Sequence, residues 1–323
     1  LNIKIPMIKV DSVREELSII SSEFYPNQPR TIAAITGTNG KTSVAKFIEQ
    51  IWKENGIASA SIGTMGNSKF LSDSSLTTPD PVSMHKQLNE LSISDFDNAI
   101  IEASSHGLDQ HRIDNVRLSG AAFTSFSRDH LDYHNNMKQY FNAKKRLFTS
   151  LIEKDSTAVV NLMGINKRYH GFIDDIRSRN LITIGKSNST INLLGFSRSS
   201  DKKINLKIHI NGEINVIETP FFAIFQAINA LIAGCVASID NRLSLLDCLM
   251  SISSLKNISG RLEFVASKGE DKNIYVDYAH TPSAMKAVLL SLRPITKNKL
   301  ILVFGAGGNR DNGKRIFMRD IAK

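Results

Sequence analysis

Residues 31–36, TIAAIT, form an apolar run without alternation that ends in a glycine loop, and they predict a buried strand. The period then changes. Val44, Phe47, Ile48, Ile51 and Trp52 recur at helical spacing, and Gly56 is placed to stop that helix. Strand patterns return in NAIIEAS (98–104) and GAAFTSF (120–126), each ending just before a cluster of polar residues. A helix is predicted from about Met137 to Ile152, and residues 181–219 read as shorter strands with turns, a β-rich portion of the same domain. The character changes near Arg261. NIYVDYAHTPSAMKAVLLSL (273–292) reads as strand, polar turn and helix, with Thr281 as cap and Pro282 at the first helical position. KLILVFGAGGNRDNGKR (299–315) predicts another buried strand running into a glycine loop. The sum is an α/β fold, in which ligands gather at the carboxyl ends of strands.

The uncharged stretch PFFAIFQAINALIAGCVASI (220–239) is about long enough to span a bilayer. Gln226 and Asn229 share one helical face, however, and Glu218 and Asp240 flank it, so it reads as a buried helix with one polar face rather than a membrane segment. The formal net charge of +9 invites a nucleic-acid reading. The Lys and Arg residues are scattered, with no basic run interleaved with aromatics, which leaves a protein for an anionic small-molecule substrate and no nucleic-acid partner. Cys235 and Cys248 sit in apolar surroundings as buried free thiols, and no signal pattern opens the chain, so a cytoplasmic location is expected. A start at Leu1 suggests an excerpt of a longer chain.

The chemistry begins in AAITGTNGKTSV (33–44). The usual phosphate loop has four free residues between its first glycine or alanine and Gly-Lys-Ser/Thr. Here Gly40-Lys41-Thr42 is in place, but Gly37 stands only three residues before Gly40. The loop joins a strand to a helix, so backbone N–H groups and the positive helix end would face phosphates, with Lys41 reaching the terminal ones and the Thr42 hydroxyl on Mg²⁺. In IEASSHGLDQHR (101–112), Glu102 at a strand end suits a metal in oxygen coordination, and His106 reads as a loop histidine. SRDHLDYH (127–134) sets His130, Asp132 and His134 together, on composition either a zinc-type cluster or a polar loop capping the next helix. Asp277 and His280 suit a sugar hydroxyl or a turn and cap.

Taken in order, TGTNGKTS, TTPDP (77–81), EASSHGLDQHR, FSRDHLDYH, YFNAKKRLF (140–148), GRLEF (260–264), VDYAHTP (276–282) and GAGGNRDNGKR resemble the Mur ligases, ATP-dependent enzymes that assemble the peptide of bacterial cell-wall precursors. The short loop is similar to that family's form of the phosphate loop. The wider superfamily includes folylpolyglutamate synthetase and cyanophycin synthetase. SSHGLDQHR and RDHLDYH resemble the branch that adds the third residue of the peptide. The resemblance implies a lead-in segment at 1–29, a central ATP-binding domain with a mostly parallel sheet at 30–260, and the start of a Rossmann-like C-terminal domain at 261–323.

The resemblance also implies roles. Gly37, Thr38, Asn39, Gly40, Lys41, Thr42 and Ser43 would hold the ATP phosphates, with Asn229 at the adenine, Arg261 at a phosphate, and Asp277 and His280 at the ribose side. Thr77, Thr78, Ser104, Gln110 and Arg112 would contact the UDP-muramoyl dipeptide, and Arg315 the carboxylate of the incoming diamino acid. Thr42, Glu102, His130 and Lys144 would form the shell of Mg²⁺, which Mn²⁺ would replace well because one ligand is a histidine. Lys144 is similar to a lysine that this family carbamylates with CO₂, which turns a cation that cannot ligate metal into an anionic oxygen ligand. Lys145 and Arg146 are expected to help by like-charge repulsion. Lys41, Lys144 and Arg261 would carry the catalysis.

The sequence departs from the family in three places. An N-terminal domain that grips the uridine and a C-terminal Asp-Asn-Pro-Arg motif are not found, and AIFQAIN (223–229) keeps Asn229 but has Ala223 and Gln226 where relatives often carry Gly and Asn. These 323 residues alone are therefore expected to ligate weakly or not at all, as part of a ligase or as a non-catalytic nucleotide-binding remnant. Meso-diaminopimelate and L-lysine both remain open as substrates, and a monomer is expected.

Overall fold

The apolar run 31–36 occupies the place its composition demands, the centre of a sheet covered on both faces. The structure is a computed structural model and describes residues 7–67, 76–268, 272–306, 311 and 313–323. In chain order the strands of the main sheet are β1 (Thr31–Thr36), β2 (Ser59–Gly63), β3 (Gly66–Asn67), β4 (Asn98–Glu102), β5 (Gly120–Phe123), β6 (Thr157–Asn161), β7 (Asn180–Gly185), β8 (Ile191–Arg198), β9 (Ile204–Ile210) and β10 (Glu213–Glu218). The helices are α1 (Val13–Phe24), α2 (Lys41–Glu54), α3 (Pro81–Ile93), α4 (Ser105–Asp109), α5 (Met137–Arg146), α6 (Ile224–Ala237), α7 (Leu245–Met250), α8 (Pro282–Leu292) and α9 (Lys314–Ala322). A separate antiparallel pair, β11 (Glu263–Ser267) and β12 (Asn273–Val276), belongs to the C-terminal part.

The main sheet has the order β10-β9-β8-β7-β6-β5-β1-β4-β2-β3. Its pairs are parallel from β2 through β8 and antiparallel at the two margins. The 181–219 region thus extends the same sheet, as its β-rich pattern predicts. Side chains alternate between two apolar layers. Ala33 and Ile35 face the cluster built by Phe47, Ile48, Ile51 and Trp52 of α2 and Leu231 and Val236 of α6. Ile32 and Ala34 face Met84 and Leu88 of α3 and Phe141 of α5. Each large side chain fully withdrawn from water here contributes about 1.5–3 kcal/mol. Trp52 also donates from Nε1 to Ala237 O at 2.9 Å, tying α2 to α6 through the only polar atom of its side chain.

The sheet's progression turns back at β1. β2 and β4 lie to one side of it, and β5, β6 and β7 to the other. The carboxyl ends of β1, β4 and β5 therefore open into one crevice, the position where such sheets bind ligands.

The uncharged 220–239 stretch is indeed the buried helix α6, and among the described residues no helix is long and apolar enough to cross a membrane. Cys235 and Cys248 are buried and free. The predicted 137–152 helix is α-helical only to Arg146 and continues as a π-helical turn, Leu147–Leu151. One expectation fails. Residues 299–306 form no strand, and Ile301 and Val303 are 81% and 93% exposed. Buried strands need flanking strands and a covering layer. Among the described residues β11 pairs only with β12, and Phe264, Val265, Ile274 and Val276 are themselves about half exposed. The glycines expected to follow, 307–308, lie outside the described residues.

Candidate active site

The turn from β1 to α2 is only four residues long, and two of them need backbone that favours glycine. Gly37 has φ +147° and Gly40 φ +91°. A Cβ on Gly37 would sit 2.0 Å from Thr124 Oγ1, and one on Gly40 would sit 2.7 Å from Asn229 Oδ1. The loop is sewn to the end of β5. Thr38 N donates to Ser125 O at 2.7 Å, Asn39 N to Ser125 Oγ at 3.0 Å, and Thr124 Oγ1 to Asn39 O at 2.5 Å. A short loop thus gains rigidity from its neighbour rather than from its own length. Gly37→Ala should consequently lower nucleotide affinity at least about tenfold, with a stability loss of about 1–3 kcal/mol, since both clash and backbone strain act at one position. Calorimetric titration with ADP and urea unfolding check the two parts.

Two lysines from distant parts of the chain meet at this loop. Lys41 Nζ and Lys144 Nζ donate to the same carbonyl oxygen, Gly37 O, at 2.8 and 3.0 Å. Lys144 is 1% exposed and lies 4.8 Å from the ring centre of Tyr140, whose hydroxyl meets Thr38 Oγ1 at 3.0 Å. Burial, with the Lys41 charge beside it, holds the Lys144 amine well below the usual lysine range, and Asp129 only partly opposes this. Lys41 is lowered too, first by burial, with Arg261 adding and Glu102 and Asp129 opposing. The expected help from Lys145 and Arg146 is not what the structure holds. They point to other partners, Lys145 to Asp175 at 2.6 Å and Arg146 to Asp114, and the repelling cation is Lys41.

Arg261 completes the group. Its Nη2 donates to Thr42 Oγ1 at 2.8 Å, and Thr42 Oγ1 donates in turn to Glu102 Oε2, also at 2.8 Å. The guanidinium lies 4.7 Å from the ring centre of Tyr278. Asp277 Oδ2 accepts from Leu262 N at 2.7 Å and so fixes the backbone beside Arg261. Burial raises the Asp277 carboxyl, partly offset by the Leu262 and Ala279 N–H groups. Among the described residues, Lys41, Lys144 and Arg261 make no ion pair with a carboxylate; their contacts are carbonyls, a hydroxyl and rings. Lys41 and Arg261, without counter-ions beside a glycine turn, make an anion site, and the depressed Lys144 amine adds a further hydrogen-bond donor there.

Glu102 is 2% exposed, accepts from Thr42 Oγ1, Thr64 N and Thr64 Oγ1, and pairs with no cation among the described residues. A buried carboxylate held by two hydroxyls and a backbone N–H fits a hard divalent cation. His130 stands on a left-handed backbone (φ +53°), and its imidazole is pushed down to about 3 by burial, with Lys144, His106 and Lys41 adding and Asp129 opposing. It is thus a neutral ring, the form that ligates metal. The ligand atoms of His130, Asp132 and His134 do not converge as a zinc-type group. Among the described residues, the only such trio is Glu15, His111 and Asp114, elsewhere in the fold. His106 and His134 instead pack ring to ring, 5.5 Å apart.

The residues expected at the peptide substrate form one network. Thr78 Oγ1 meets Glu102 O at 2.7 Å and Ser104 Oγ at 3.0 Å, Arg112 Nη1 donates to Thr78 O at 2.8 Å, and Arg112 Nη2 to Gln110 Oε1 at 2.6 Å. Thr77 meets Thr64 at 3.1 Å. Asn229 lies against Gly40 and donates to Gln226 Oε1 at 2.9 Å, so the unusual Gln226 acts as its anchor. Ser43 is buried in the first turn of α2, and Arg315 is exposed on α9.

Sequence reasoning passed over Asp129, although it stands inside a quoted motif. It is 2% exposed and meets Lys314 Nζ at 3.2 Å, His130 Nε2 at 3.3 Å and His280 Nε2 at 3.7 Å. With Arg128 forked on Asp311 and Asn39 bonded to Ser283 and Thr281, it docks the C-terminal part on the loop. Only long-range pairing reveals it; the local pattern marks it as one more loop carboxylate.

The chain is similar to known proteins in sequence and in fold. The profile of the Mur ligase middle domain matches residues 35–237, and that of the Mur ligase glutamate ligase domain matches 260–323. A UDP-N-acetylmuramoyl-L-alanyl-D-glutamate–2,6-diaminopimelate ligase of Brucella melitensis biotype 1 is 40% identical across 98% of this chain, which spans 65% of that relative. A solved structure of a ligase of the same name superposes with a TM-score of 0.72 at 28% identity, covering 96% of this chain and 63% of its own. The apo form of L. casei FPGS, 13% identical with a TM-score of 0.67 over 91% of this chain and 79% of its own, shares the fold alone.

Proposed function

The chain belongs to the Mur ligase family, and from that premise we propose that the protein it represents joins 2,6-diaminopimelate to UDP-N-acetylmuramoyl-L-alanyl-D-glutamate at the expense of ATP. The observation that carries this reading is the convergence of Lys41, Lys144 and Arg261, none with a carboxylate partner among the described residues, on the Gly37–Thr42 turn beside buried Glu102. The amino acid is the one named for the relatives at 40% identity. Residues 30–260 would supply the nucleotide and dipeptide sites, and 261–323 the start of the domain that brings the amine.

In the reaction, the substrate's free carboxylate oxygen attacks the γ-phosphorus of ATP, ADP leaves, and an acyl phosphate forms. The amine of the amino acid then attacks the acyl carbon, loses a proton, and expels phosphate. The protein's part is placement and neutralisation of charge. The loop N–H groups and Lys41 hold the β- and γ-phosphates, Arg261 leaves Thr42 for the transferring group, and Arg112 with Gln110 orients the dipeptide. Thr42, Glu102, His130 and Lys144 as its carbamate would hold Mg²⁺, which when bound spreads the phosphate charge. Carbamate formation needs a neutral amine: the Nζ lone pair adds to CO₂ and one proton is lost. The environment of Lys144 favours that neutral form.

The test is phosphate release by the full-length protein. Release that requires the UDP-muramoyl dipeptide and diaminopimelate together is expected. Release stimulated instead by a folate and glutamate, or by neither set, would refute the assignment.

A further inference from the structure

Arg146 follows Lys144 by two residues on α5, and the 100° step of an α-helix sends the two side chains to opposite faces. Lys144 reaches Gly37, whereas Arg146 reaches the segment between α4 and β5. Its Nη1 donates to Leu108 O at 3.1 Å and Asp114 Oδ1 at 2.8 Å, and its Nη2 donates to Asp114 Oδ2 at 2.5 Å. Both side chains are largely covered, at 23% and 13% exposure. This is a fork closed on both carboxylate oxygens, the geometry that fixes direction as well as distance.

Asp114 is also where three other parts of the fold meet. Its backbone oxygen accepts from Ser18 Oγ of α1 at 2.7 Å and lies 3.0 Å from His85 Nε2 of α3, and its Oδ2 lies 2.8 Å from His111 Nδ1. His111 and Asn115 lie on either side of it with φ of +57° and +61°, the left-handed turn backbone that His and Asn adopt more readily than most residues. Between His111 and Asp114 stands Arg112, the cation that grips Thr78 O and Gln110 Oε1. The segment that would read the dipeptide is thus pinned by one ion pair to the helix that delivers Lys144.

We propose that Asp114 and Arg146 are positioning residues that couple the dipeptide-reading segment, through Gln110 and Arg112, to the seating of Lys144 against the phosphate loop. The inference rests on the ligase reading of the site. Neither residue touches substrate; each acts through its neighbour.

The test compares full-length wild type with Arg146→Lys and Asp114→Asn. Lysine keeps the charge but cannot span both carboxylate oxygens and Leu108 O, so the conservative variant is not expected to rescue. Three quantities are measured: the affinity for the UDP-muramoyl dipeptide, the affinity for ADP with Mg²⁺, and the fraction of Lys144 carrying a trapped carbamate by mass spectrometry. In both variants dipeptide affinity should fall about tenfold and carbamate occupancy about threefold, with ADP affinity within about twofold of wild type. Variants that keep dipeptide affinity and carbamate, or that lose ADP and dipeptide binding in parallel, overturn the coupling. Wild type that neither binds dipeptide nor carries carbamate overturns the ligase reading, and the inference with it.

Discussion

Lys41→Ala is expected to lower kcat/KM of the full-length protein by about a thousandfold or more, on the order of 4 kcal/mol of transition-state stabilisation. The ammonium stands at the start of α2, 2.8 Å from Gly37 O and 3.2 Å from Thr38 O. Among the described residues it has no carboxylate to leave when phosphate arrives, and an arriving phosphate would offset the burial and the Arg261 charge that lower it. Removing it would leave Arg261 as the side chain of this group that meets the charge of a transferring phosphoryl group, since Lys144 serves as an anionic carbamate. Nucleotide binding should weaken less than kcat/KM, because charge on the transferring group and its neighbours shifts as the bond breaks. Phosphate release under saturating dipeptide and diaminopimelate reads the effect. A loss under about tenfold would remove Lys41 from the mechanism.

Lys144→Met should abolish ligation to a similar extent while raising stability. The sign follows from burial. The folded-state pKa of Lys144 is depressed, so below the ordinary lysine value the unfolded chain takes up a proton that the folded chain resists. The wild-type residue therefore costs stability at neutral pH, and that cost shrinks as pH rises toward 10.5. Methionine fills a similar volume without a charge, so the melting temperature should rise at pH 7, by about 2–4 °C for each kcal/mol relieved, and the gain should fade toward pH 10. Ligation by wild type should fall as pH drops through the depressed value, because a protonated amine cannot add CO₂. Scanning calorimetry with parallel assays checks both halves. A variant that is active, or that melts lower at pH 7 than at pH 10 relative to wild type, contradicts this account of Lys144.

Much of this was legible before any coordinates. TIAAIT and the strands ending at Glu102 and Phe123 are short apolar runs buried on both faces, and the helix that follows TIAAIT buries one apolar stripe, so the local pattern found them. The helix capped by Thr281 was equally plain, since cap and proline act locally. The lead-in showed no comparable signal, yet it holds α1, capped by Ser12, because that helix buries chiefly Ser18 and Ser21 and leaves apolar residues exposed. Residues 299–306 misled for the opposite reason: their strand-like composition has no sheet beside it among the described residues. In the site, types and order identified Lys41, Glu102 and Lys144. The shared Gly37 oxygen, the buried Asp129 and the Arg146 fork are pairings over long sequence separations, and no local pattern encodes them.

The central claim is that one phosphate-binding turn and one buried lysine serve the same nucleotide. It is tested most directly by a crystal structure of the full-length protein with a non-hydrolysable ATP analogue, Mg²⁺ and bicarbonate. The account predicts terminal phosphates on the Gly37–Thr42 turn within hydrogen-bonding distance of Lys41 Nζ, and Lys144 carrying a carbamate directed at the metal beside Glu102. Nucleotide bound away from this turn, or an unmodified Lys144 still seated on Gly37 O with the metal held elsewhere, would contradict it.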